Sequence, residues 1–143
     1  MGNATYDPAA SIVAAVTSMP RAKELKLRFL QIGAGEAVVE IPFDERWTFR
    51  PGQYQATPVF ALADFAGVCA AASLLAEGWF VATVDVSLKM LAPAKEGGLR
   101  ARGRVVGPGK LLTVASADVY WVEEGRETLC ATALVTARNL PPA

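Results

Sequence analysis

Residues 58–76 constrain this chain more than any other stretch. They run Pro-Val-Phe-Ala-Leu-Ala-Asp-Phe-Ala-Gly-Val-Cys-Ala-Ala-Ala-Ser-Leu-Leu-Ala, with Asp64 the only ionisable side chain apart from the Cys69 thiol, and Gly78 follows shortly after. Thr57 before Pro58 reads as a cap followed by proline at the first helical position. A helix apolar on every face is either enclosed by its own protein or by a membrane. The length suits a bilayer, but Asp64 would cost about 2.5–3.5 kcal/mol there. The rest of the chain needs this helix to complete a core, so no membrane is expected.

The flanking segments alternate in the manner of strands. Leu25, Leu27 and Phe29 lead into Gly33-Ala34-Gly35, after which Ala37, Val39 and Ile41 alternate with Glu36, Val38 and Glu40, a hairpin signal. A loop spans 44–55. After the helix, Val84, Val86, Leu88 and Met90 alternate with Thr83, Asp85, Ser87 and Lys89, and Leu99, Ala101, Gly103 and Val105 with Arg100, Arg102 and Arg104. Further strands are expected over 111–122 and 129–138. At the start, Asp7-Pro8 followed by Ile12, Val13, Val16 and Met19 predicts a short amphipathic helix over 8–19, stopped near Pro20. Short connections make the sheet antiparallel. An antiparallel sheet with one apolar face needs a cover. The expectation is an α+β fold of one domain, 1–143, with five to six strands wrapped around a long central helix.

Composition narrows the chemistry. Fourteen basic residues balance fourteen acidic ones, so no general footprint for nucleic acid exists. The chain has no histidine, which removes Ser-His-Asp and Cys-His machinery and His-containing zinc sites. Acid–base work falls to carboxylates, Lys, Tyr or water. Cys69 and Cys130 are far apart in dissimilar contexts, read as small buried hydrophobes rather than a disulfide or ligand set. No metal-ligand spacing and no Gly-rich phosphate loop is present, and no cofactor is expected. Residues 1–7 lack a basic start followed by an apolar run, so the cytoplasm is the expected location.

Asp64 is the candidate catalytic residue. It lies too deep in the predicted helix for a cap, and a desolvated carboxylate with a raised pKa suits general-base work. The competing reading is an Asp satisfied by a Ser, a Thr or a backbone amide. Gly67, three residues on, either opens space for a substrate or permits close packing. Backbone amides around Gln55, Ala56 and Thr57, at the positive end of the helix, favour a developing oxyanion. Arg100, Arg102 and Arg104 either meet phosphates or form a solvated strand face.

Gly52, Ala56-Thr57-Pro58, Leu62-Ala63-Asp64 and Ala70-Ala71 together resemble the central helix of the PaaI-type hotdog-fold acyl-CoA thioesterases. That family shows N-x-x-G-x-x-H-G-G, then Asp eight residues after the first glycine of the pair. Ala56 and Asp64 keep the spacing. Thr83-Val84-Asp85 is similar to the family's T-V-D, Met90 to Gly97 to its FLxPAxxG, and Val105 to Lys110 to its VVxxGR. The likeness covers about 35–138. His-Gly-Gly is replaced by Gln55-Ala56-Thr57, and the family's Asn by Phe49. Gln55 can donate a hydrogen bond but cannot titrate.

The resemblance implies a hotdog fold assembled as a homodimer or dimer of dimers, with active sites at the subunit interface. It implies hydrolysis of an acyl-CoA thioester, with Asp64 as base or nucleophile, the Ala56 amide on the thioester oxygen, and Thr83 of the partner chain positioning water. The alternative from a different class is a non-catalytic acyl-CoA or acyl-ligand binding protein on the same fold. A hotdog dehydratase fits less well without its usual histidine.

Overall fold

Helix α1 (Pro8–Thr17) begins where Asp7 predicts it: the Asp7 carboxylate accepts from the Ala9 and Ala10 amides. The computed structural model describes residues 5–143, so residues 1–4 of the expected domain lie outside the described residues. Pro20 does not end the helical region. It opens a second helix, α2 (Pro20–Leu25), because proline at the first helical position gives up an N–H that has no partner anyway. Lys26, at φ 56°, closes α2. Leu25 and Leu27, expected in a strand, are instead buried in and just after α2.

Strands β1 (Arg28–Gly33) and β2 (Glu36–Ile41) form the expected hairpin. Ala34 and Gly35 make the turn at φ 53° and 80°, the doubly left-handed pattern that matches strand twist. The expected loop holds a short 3-10 turn (Glu45–Trp47) and a small hairpin, β3 (Thr48–Arg50) with β4 (Gln53–Tyr54).

Helix α3 runs Ala56–Ala72, starting two residues before Pro58 and ending short of residue 76. Gln55, not Thr57, is the N-cap, and its side chain makes no capping bond. Pro58 is tolerated at the third position because the first-turn amides have no intrahelical acceptor. At the other end the Ser73 hydroxyl donates to the Ala70 carbonyl and accepts from the Gly35 amide, tying the helix to the first hairpin.

Strands β5 (Phe80–Met90), β6 (Gly98–Gly107), β7 (Leu112–Glu123) and β8 (Arg126–Leu140) complete a six-stranded antiparallel sheet in the order β1-β2-β6-β7-β8-β5. Helix α3 crosses β2, β6, β7, β8 and β5 on one face. Val59, Leu62, Ala63, Ala66 and Ala70 are buried against Val39, Leu99, Ala101, Val119 and Val135. The approach is close. A Cβ on Gly67 would stand 2.6 Å from Val135 Cγ2, and one on Gly103 would collide with the Ala66 carbonyl oxygen. On its far side α3 leaves Phe60 43% exposed, so the helix is enclosed on the sheet side and open on the other. Among the described residues no helix is long and apolar enough to cross a membrane.

Candidate active site

Asp64 is the ninth residue of α3 counting from Ala56. Its Oδ1 accepts a hydrogen bond of 2.7 Å from Thr83 Oγ1 of the same chain. The pair thus forms within one subunit, where the resemblance implied a Thr83 from the partner. A bulge at Val84 arranges this. Strict alternation would put Thr83 and Asp85 on one face. The register shift between them sets Thr83 opposite buried Ala137, facing α3, and Asp85 opposite Thr136, facing away. Burial pushes the Asp64 carboxyl above its ordinary value, and the Thr83 hydroxyl, by donating to the ionised form, partly offsets that rise.

Asp64 and Thr83 border a cavity of about 420 Å³ between α1, α3 and the start of β5, with Phe65, Val68, Trp79 and Phe80 in its walls. Cys69 also lines it. Its thiol is pushed up to about 12 by burial, with the Asp64 charge adding to the effect, so at neutral pH it is no thiolate nucleophile. Both cysteines are free and buried.

Gln55 and Ala56 border a different cavity, about 640 Å³, at the start of α3, together with Phe49, Arg50, Met90 and Leu91. Thr57 is exposed beside them. The Ala56 amide has no intrahelical acceptor and sits at the positive end of the helix. Eight residues separate Ala56 from Asp64, about 12 Å along the helix axis. Within one chain the two cannot touch the same carbonyl group.

The other residues singled out in the sequence stand elsewhere. Gly67 is buried against Val135 and opens no space for a ligand; its lack of a side chain serves close packing. Arg100, Arg102 and Arg104 do share one face, but it is the face turned away from α3, because Leu99, Ala101 and Gly103, which alternate with them, are the buried residues of β6. Arg100 donates to Glu40 and Glu127, and Arg102 to Glu127, in a network that also takes in Arg28. These arginines do not meet Asp64. What the sequence did not point to is the cavity wall, above all the contribution of α1. The only signal there was an amphipathic period, which says that a helix docks but not where.

No protein-family model matches the chain. It is 30% identical over 112 residues to a protein of Saccharolobus solfataricus that carries an esterase name, a stretch covering 77% of this chain and 71% of that one. A solved thioesterase family protein from Silicibacter pomeroyi is 30% identical, with a TM-score of 0.90 over 94% of this chain and 99% of its own. A phenylacetic acid degradation-related protein from Ralstonia eutropha shares the fold at 21% identity, with a TM-score of 0.77 over 92% of this chain and 99% of its own.

Proposed function

The chain belongs to the hotdog-fold thioesterase family, and from that premise we propose that it hydrolyses an acyl-CoA thioester to the free acid and CoA at a site completed by a second copy of itself. The observation that carries the reading is Asp64: a half-buried carboxylate with a raised pKa, hydrogen-bonded to Thr83 at 2.7 Å and facing an apolar cavity. Asp64 takes a proton from water as that water attacks the thioester carbon, or attacks the carbon itself to form an acyl-aspartyl anhydride that water then hydrolyses to the free acid. The carbon–sulfur bond breaks, and the CoA thiolate leaves and is protonated by solvent.

An amide donor at the carbonyl oxygen lowers the barrier as negative charge develops there. The Ala56 amide suits that task, and its separation from Asp64, about 12 Å along the helix, supports a role for it in the partner's site rather than its own. The edge strand β5 supports this. It exposes Phe80, Val84 and Met90, and an unpaired apolar edge favours addition of another strand. Two-fold antiparallel pairing centred near Asp85 sets the Phe80–Thr83 end of one β5 beside the Ser87–Met90 end of the other. The first end borders the Asp64 cavity and the second borders the Ala56 cavity. With Arg100, Arg102 and Arg104 on the other face, Arg50 at the Ala56 cavity is the guanidinium available to a CoA phosphate.

The test is release of free thiol from a panel of acyl-CoA esters. Turnover on at least one ester is expected, and it should require Asp64. Binding of CoA esters without turnover of any of them would replace this reading with that of a non-catalytic acyl-CoA carrier.

A further inference from the structure

Resting on the thioesterase reading, we infer that the acyl group is an uncharged apolar chain of medium length, held between α1 and α3, and that α1 sets its length limit. The Asp64 cavity continues along α3 past Val68 and Cys69 to Ala72. Asp64 and Ala72 are eight residues apart, about 12 Å on a helix. At about 420 Å³ it lies in the range of small-ligand sites, roughly 300–1,000 Å³. Its far wall is α1, through Ile12, Ala15 and Val16, with Met19 just beyond the helix.

Charge decides the class of chain. Among the described residues of the chain, no Lys or Arg borders this cavity, and Asp64 is its only carboxylate. An acyl group ending in a carboxylate would lose its hydration with no cation to meet it, in a space that already holds one negative charge. An alkyl chain meets no such penalty, and each buried methylene gains the ordinary apolar transfer energy. Dicarboxylic acyl groups are therefore excluded and plain alkyl acyl groups accepted.

The length limit follows from how α1 is attached. Val16 is its single buried residue, while Ser11 and Ala15 line the cavity and are otherwise exposed. A large side chain at either position takes up cavity volume without entering the core.

The test uses S-alkyl-CoA thioethers, which have no carbonyl to hydrolyse, titrated calorimetrically from ethyl to decyl, with S-(3-carboxypropyl)-CoA as the charged probe. Affinity should tighten by about fourfold per methylene until the cavity is full. The carboxylate-tipped thioether should bind at least about tenfold more weakly than S-butyl-CoA. In Ala15→Trp and, separately, Ser11→Trp, the octyl-to-ethyl affinity ratio should fall at least about tenfold. Affinity that ignores alkyl length, a carboxylate-tipped thioether bound as tightly as S-butyl-CoA, or a parental ratio in both tryptophan variants would overturn the inference. Hydrolysis of the matching acyl-CoA esters separates the two claims. Turnover with length-independent binding sinks the α1 pocket and leaves the thioesterase, whereas length-graded binding without turnover sinks the thioesterase and leaves the pocket.

Discussion

At the scale of single side chains, Asp64 stands between burial, which favours its protonated form, and the Thr83 hydroxyl, which donates to its carboxylate. Burial prevails, so the folded pKa lies above the unfolded one. A carboxyl raised in this way contributes stability below its unfolded pKa, and that contribution is lost as pH rises through the folded value. Ionised Asp64 thus costs the fold stability at neutral pH, while the proposed hydrolysis needs it ionised. Asp64→Asn, close to isosteric and still able to accept from Thr83, should cut kcat by about 10²–10⁴-fold with melting temperature unchanged or raised. A variant that melts lower and keeps its turnover would make Asp64 structural. Thr83→Val removes the donor and leaves the burial, so the acid limb of the kcat/KM profile should move to higher pH. A limb that stays in place would show that Thr83 does not set the titration. Asp64 was legible in the sequence because an ionisable group in an apolar helix is conspicuous. The facing of Thr83 was not: Thr83, Asp85, Ser87 and Lys89 alternate as one polar face, and the bulge that turns Thr83 inward arises from pairing with β8, a strand some fifty residues away. For the strand arginines the alternation visible in the sequence holds in β6. Which face carries the core was settled by Ala101 and Gly103 lying under α3.

Among the elements, α3 and the sheet meet across two glycines. Gly67→Ala presses a methyl against Val135, and since a valine can shift only partly in a filled core, a loss of about 1–3 kcal/mol is expected by denaturant unfolding. Gly103→Ala meets a backbone carbonyl that has no rotamer to escape into, so its loss should be the larger of the two. An order reversed in measured stabilities would mean that α3 can lift from β6 more easily than it slides on β8. The α3 boundaries show what local reading can reach. Thr57-Pro58 has the signature of a helix start, yet the helix begins at Ala56, since a proline in the first turn is as acceptable at the third position as at the first. Pro20 does both things a proline can do at a helix boundary: α1 ends just before it, as its position predicts, and it opens α2, which only packing reveals.

For the molecule as a whole, β5 is the exposed edge that a subunit partner would cover. Val84 is 58% exposed on it. The parent protein should sediment as a dimer or larger, and Val84→Lys, a charge on that edge, should shift it toward monomer with turnover falling in parallel. Full activity in a monomer would detach the site from the assembly. The six-strand antiparallel sheet could be read from alternation and turn residues. Which strand ends at the edge could not, because β5 reaches its place by pairing with β8, the strand most distant from it in the sequence of those that follow. The separation of Ala56 from Asp64 along α3 has a last consequence for the proposed dimer, one of inheritance rather than geometry: each subunit would lend a different half to each of two sites. Ala56→Pro removes the amide at a helical position where proline is at home, and Gln55 already has the extended backbone, φ −64° and ψ 162°, that a following proline requires. This variant and Asp64→Asn should each be inactive alone. Unfolded together and refolded as a mixture, they form mixed dimers in which one site collects both defects and the other neither, and about a quarter of parental activity should return. No rescue on mixing would mean that each subunit keeps its whole site to itself.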